Sequence, residues 1–145
     1  MLSAMLPTSP IYGIDTFVFV RILTGHPQAD FEATANALQQ LLEVQPKAGL
    51  LVSNQVIGEA YIALQFHYEI TKSDSRHAIH EVLSNEIVAP LNGSSLLKLL
   101  QEEGGCGLID RLIAQDYDLR GATILTNDRR MANLPNARLL SETHS

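Results

Sequence analysis

The stretch 106–128, CGLIDRLIAQDYDLRGATILTND, sets the strongest constraint on this chain. At about 100° per residue it opens with a helix whose apolar arc holds Leu108, Ile109, Leu112, Ile113, Ala114, Tyr117 and Leu119. Arg111, Gln115 and Asp118 fall on the opposite side, which reads as a solvent face. Asp110 points into the apolar arc, between the directions of Tyr117 and Ala114. A carboxylate aimed at a core is costly unless it is paired, protonated or bound to a cation. Gly121 stops the helix, the β-branched run 122–126 reads as a buried strand, and Asp128 stands just past its end. A chain built around this stretch therefore has to explain two carboxylates.

In order, residues 11–15 read as a short buried strand ending in Asp15, and 16–23 as a helix stopped near Thr24-Gly25. Pro27 suits a first helical position, with Phe31, Ala35, Leu38, Leu41 and Leu42 as a core-facing stripe up to about Val44. A turn at 46–49 leads to a buried strand at 50–52. The span 56–68 is apolar on nearly every side, and Glu59 is the only Asp, Glu, Lys or Arg between 48 and 68. A helix over 71–84 with Thr71 or Ser73 as N-cap follows, then a strand at 87–89, a helix from 94 to 102 and the Gly104-Gly105 break. Beyond Asp128, residues 129–133 read as a turn or short helix and 137–140 as a last strand. Strands alternating with helices predict an α/β sandwich around a mostly parallel central sheet. One domain over 1–145 is expected, with 1–10 as an N-terminal extension and 141–145 as a C-terminal tail.

With 46% hydrophobic residues the chain can bury a core, and its single cysteine, Cys106, can form no internal bridge. The first ten residues carry neither Lys nor Arg and lack the apolar run of a secretory signal, and no stretch reaches membrane-spanning length. A cytoplasmic protein is the expectation. A net charge of −6 argues against a generic nucleic-acid coat. Five of the ten Lys and Arg residues (Arg111, Arg120, Arg129, Arg130 and Arg138) nonetheless lie between 111 and 138. Two divalent cations would also offset four of the excess negative charges, so a nucleic-acid substrate stays open.

Each acid has a plain structural role available. Asp15 suits a helix N-cap, Asp128 a turn, and Glu59 and Asp110 a salt bridge to a distant base. Together they suggest more. Side chains just past the carboxyl ends of parallel strands converge on one crevice, where Asp15 and Asp128 are expected, while Glu59 and Asp110 point inward from helices. Clustered carboxylates do not all stay ionised without cations, and an oxygen-only ligand set favours Mg2+ or Mn2+ over Zn2+. Arg129 and Arg130 are placed to hold a phosphate backbone beside Asp128, with Arg111 nearby. The five histidines show no ligand spacing, and Phe17, Phe19, Phe31 and Phe66 read as core residues, Phe17 alone lying near enough to Asp15 to suggest base stacking.

Four segments, IDTFVFVRILTG at 14–25, VSNQVIGEAYIAL at 52–64, GLIDRLIAQ at 107–115 and TNDRRMANLPNARLL at 126–140, resemble the ordered motifs of the PIN-domain family, in particular its VapC-like toxins. The resemblance implies a metal-dependent endoribonuclease cutting single-stranded or loop RNA, with Asp15, Glu59, Asp110 and Asp128 as its acids. It also implies a role for the Thr126 hydroxyl beside the metal, a homodimer, and a small antitoxin that blocks the crevice. Two positions depart from the pattern: Phe17 stands where the family has Asn, and Arg111 where it has Ala. Asn54 or Asn127 is then left to orient the metal ligands. The alternative from another class is a catalytically silent PIN domain that binds RNA or a protein. A phospho-acceptor receiver domain is disfavoured because no lysine follows Lys98, and a D-x-D phosphatase because Phe17 lies two residues after Asp15.

Overall fold

The computed structural model describes residues 9–142. Most of the expected N-terminal extension, 1–8, and most of the tail, 143–145, lie outside the described residues. Strand β1 (Ile11–Gly13) leads into helix α1 (Thr16–Thr24), and α2 (Gln28–Val44) follows a tight turn. Strand β2 (Gly49–Val52) leads into α3 (Asn54–Phe66) and α4 (Lys72–Ser84), and β3 (Val88–Pro90) into α5 (Ser95–Gln101) and α6 (Leu108–Asp118). Strand β4 (Ile124–Thr126), a short 3-10 turn (Met131–Asn133) and β5 (Ala137–Leu139) complete the fold.

Local chemistry sets the boundaries. The Asp15 carboxylate caps α1 by accepting from Val18 N at 2.9 Å, and Gly25, at φ 68°, closes it in the left-handed region that glycine enters freely. Ser53 caps α3 by accepting from Val56 N at 3.2 Å, and Thr71, not Ser73, caps α4 by accepting from Asp74 N at 3.1 Å. Helix α6 begins at Gly107 with no side-chain cap, so Asp110 in its first turn is the acid that faces the positive end of the helix dipole.

The chain is an α/β protein in which every strand pair is parallel: β1 with β2 (Tyr12 opposite Leu50), β2 with β3 (Leu51 opposite Ala89), and β4 with β5 (Leu125 opposite Arg138). The strands form two sheets, β1-β2-β3 and β4-β5, rather than one central sheet. Strands β1 and β4 are three residues each, and Ile11 and Leu125, expected to be buried, are exposed. The main core packs Phe19, Leu50, Val52, Ile57, Leu64, Ile79, Leu96, Leu108 and Leu112 between sheet and helices. Burying a side chain such as Phe19 contributes about 1.5–3 kcal/mol. A smaller core of Ala114, Ile124 and Met131 fastens the second sheet to α6.

Helix α3 is the hub, packing against α1, α4 and α6. At Gly58 a Cβ would lie 3.1 Å from Ile109 Cδ1 and 3.6 Å from Leu112 Cδ1, so the missing side chain is what lets α3 and α6 approach. Helix α2 is looser. Its stripe of Phe31, Ala35, Leu38, Leu41 and Leu42 is only half-buried, above an apolar groove of about 650 Å³. Among the described residues no helix is long and apolar enough to cross a membrane.

Candidate functional site

Three of the four acids lie on helices that touch one another. Asp15 caps α1, Glu59 is in the second turn of α3 and Asp110 is in the first turn of α6. The Thr16 hydroxyl, next to Asp15, donates to the Glu59 carboxylate, and Gln55 Nε2 donates to it at 3.4 Å. Gly58, next to Glu59, faces Ile109, next to Asp110. The close α1–α3 and α3–α6 contacts thus each fall one residue from an acid.

Asp128 belongs to the second sheet. Its Oδ1 accepts from Arg130 N at 2.7 Å and Met131 N at 3.2 Å, and its own N–H donates to the Thr126 hydroxyl at 3.0 Å. It thereby caps the 3-10 turn, and Thr126 shapes the bend that presents it. Buried Cys106 lies within electrostatic reach of both Asp110 and Asp128. Burial pushes its thiol above the usual range, Arg111 opposes that, and the two carboxylates add to it.

Asp15, Glu59 and Asp128 are exposed and Asp110 is half-buried, at the edge of the core rather than inside it. Among the described residues none of the four forms an ion pair, and the Asp110 carboxylate accepts no hydrogen bond. The salt bridge considered for Asp110 and Glu59 is therefore absent among these residues. Nor do any three His, Cys, Asp or Glu side chains among them stand close enough to share one ion. The donors suit a hard divalent cation in type and charge. Their placement ties Glu59 to Thr16 beside Asp15 and puts Asp110 and Asp128 each within electrostatic reach of Cys106, rather than closing a four-acid cage.

The polar face expected for α6 is only in part a solvent face: Asp118 is exposed, but Arg111 and Gln115 are not. Gln115 is buried, its Oε1 accepting from Asn54 Nδ2 at 2.8 Å while its Nε2 donates to Ser95 Oγ at 3.0 Å. Asn54, only 5% exposed, also donates to Leu112 O at 3.0 Å, and its own Oδ1 is buried without a partner. It binds α3 to α6 rather than orienting one of the four acids. Arg111 is equally occupied. Its side chain is 12% exposed, donates to Cys106 O at 3.2 Å and Gly104 O at 2.7 Å, and pairs with Glu102. Arg111 therefore pins the loop before α6 and presents no free guanidinium to a substrate. Arg129 and Arg130 remain exposed and unpaired among the described residues.

Opposite the buried amides, Ile113, Tyr117 and Leu119 are exposed, where an apolar arc was expected to meet the core. Loop 102–106 and α5 cover the other side and satisfy its polar groups, which turns the helix from its hydrophobic pattern. Phe17 is likewise outside the core, 72% exposed, as is Phe66. Phe17 remained legible as a large ring two residues from Asp15. The Asn54–Gln115 pair, separated by 61 positions, had no signal in the sequence.

Fold and site define an α/β protein with an acidic edge drawn from the starts of α1 and α6, the second turn of α3 and the end of β4. No family model matches the chain, and no curated protein matches it. Among solved structures it is similar to one described as the crystal structure of VapBC2 from Rickettsia felis bound to a DNA fragment from their promoter. That likeness is 21% in sequence identity with a TM-score of 0.38, over 89% of this chain and 96% of the other, and assigns no activity.

Proposed function

We propose that this chain is a divalent-metal-dependent endoribonuclease of the PIN type, the toxin of a toxin–antitoxin pair. The observation that carries the reading is the alignment of unneutralised acids on touching helices: Thr16 joined to Glu59, and Gly58 against Ile109 beside Asp110. The ordered PIN-like motifs of the sequence support it. Asp15, Asp110 and Asp128 would hold Mg2+ or Mn2+ directly or through bridging water, with Glu59 orienting water or holding a second ion. The ion, when bound, neutralises phosphate charge and makes water a better nucleophile near neutral pH.

The chain's own residues supply the positioning. Thr16 and Gln55 fix the direction of Glu59, Thr126 sets the turn that carries Asp128, and Arg129 and Arg130 offer cations to the RNA backbone beside it. Exposed Ile62 and Ile113 border one groove between α3 and α6, a face suited to a second copy of the chain. The antitoxin would cover the acidic edge with a basic side chain.

The test is cleavage of mixed RNAs by the purified protein with Mn2+, beside EDTA and Asp15→Asn controls. Cleavage by wild type alone, lost in EDTA, is expected. Equal cleavage by Asp15→Asn removes the claim. A folded, inactive wild type that still binds RNA or a protein supports the silent PIN domain, a reading favoured by Phe17 and by the lack of a three-acid site among the described residues.

A further inference from the structure

The sequence puts a phenyl ring in the first turn of α1, two residues after Asp15, and the fold leaves it in solvent. Phe17 is 72% exposed while Phe19 on the same helix is fully buried. An exposed ring contributes nothing to the core and raises the cost of solvation. It is nevertheless held in place. The Arg21 guanidinium, one turn along, lies 5.7 Å from the ring centroid, and Arg21 is itself held 3.6 Å from Asp30 across the α1–α2 turn. One face of the ring is therefore backed by a cation, and the other is available.

The ring borders a groove of about 610 Å³ between α1, the α1–α2 turn and the end of α3. Besides Phe17 and Arg21 it is lined by His26, Asp30, His67 and Tyr68, and it starts at Thr16. Thr16 is the residue that donates to Glu59, so the groove opens directly from the acidic edge. Its volume is that of a small-molecule site. Asp30 offsets the charge of Arg21, which disfavours a bare phosphate as occupant. The imidazoles and the phenol offer hydrogen bonds to a flat heterocycle, which disfavours a purely apolar protein surface.

We infer that this groove seats a nucleobase of single-stranded RNA, stacked on Phe17, next to the phosphate at the acidic edge. The inference rests on the ribonuclease reading and adds a substrate contact to it. In this chain the position that carries Asn in the resembled family would then serve RNA binding.

The experiment uses the full chain in EDTA, so that nothing is cut, and a short single-stranded RNA carrying 2-aminopurine. Wild type should bind it and quench the fluorescence, because quenching reports stacking. Phe17→Ala and Phe17→Leu should each lose the quench and bind about tenfold or more weaker, while Phe17→Trp keeps both. Phe17→Leu keeps apolar bulk, so loss in that variant isolates the ring. Circular dichroism should show all variants folded, since the ring is outside the core. Equal binding and quenching by wild type and Phe17→Leu overturns this inference alone. Failure of wild type to bind this RNA overturns this inference, while the ribonuclease reading is judged separately by cleavage with Mn2+. A variant with wild-type RNA affinity but altered oligomeric state assigns Phe17 to a protein contact and also overturns it.

Discussion

Arg111 shows how one side chain can be misjudged from its neighbours. Beside Asp110 and in the arginine-richest part of the chain, it looks available to a phosphate. The structure spends its guanidinium on two carbonyls and on Glu102, holding closed a loop whose glycines, Gly104 and Gly105, adopt positive φ of 78° and 67°. Hydrogen bonds from a charged group contribute about 1.5–3 kcal/mol each when well made, less where solvent reaches them as it reaches Glu102. Arg111→Ala should therefore lower stability by about 2 kcal/mol in urea unfolding. Arg130→Ala, by contrast, should leave stability within about 0.5 kcal/mol, as for exposed surface positions, while weakening RNA binding. Weakened RNA binding without destabilisation in Arg111→Ala would return that residue to the substrate surface.

At the scale of elements, the boundaries were legible because caps and stops are local. Asp15 and Gly25 frame α1, and Thr71 starts α4, as residue chemistry requires. The orientation of α6 was not. Its hydrophobic periodicity points Ile113 and Tyr117 inward, but packing against α5 and Asn54 buries Gln115 instead, a tertiary preference no local pattern carries. Gly58 is the corresponding signal that could have been used: a glycine inside an apolar helix marks a close approach. Gly58→Ala should be nearly neutral, since gained helix propensity of about 1 kcal/mol offsets a squeeze against the end of a flexible Ile109 side chain. Gly58→Leu should cost about 1–3 kcal/mol by overpacking and weaken Mn2+ binding by moving α6 from Glu59. A stable Gly58→Leu protein with unchanged metal affinity would separate the helix contact from the site.

Over the whole molecule, alternation of strands and helices was enough to give an α/β fold with parallel pairing. It did not reveal the division into two sheets, because three-residue strands carry too few side chains to specify a neighbour. The same division decides the arrangement of the acids. Asp15 and Asp128 end strands of different sheets, and what relates them is the chain of contacts through α3 and α6 rather than a shared strand edge. The proposal is that these carboxylates bind divalent cations, and Asp110 tests it best because its carboxylate has no hydrogen bond or ion pair among the described residues. As a first-turn acid alone it would stabilise α6 by about 0.3–1 kcal/mol through the helix dipole. As one of several like charges without a cation it would destabilise the fold. The measurement is thermal melting of wild type and Asp110→Asn, each with EDTA and with Mn2+. Asp110→Asn should melt higher than wild type in EDTA. Mn2+ should stabilise wild type by about 2.7 kcal/mol at a hundred times its Kd and the variant much less. An Asp110→Asn protein that melts lower than wild type, with Mn2+ moving neither, would contradict the proposal.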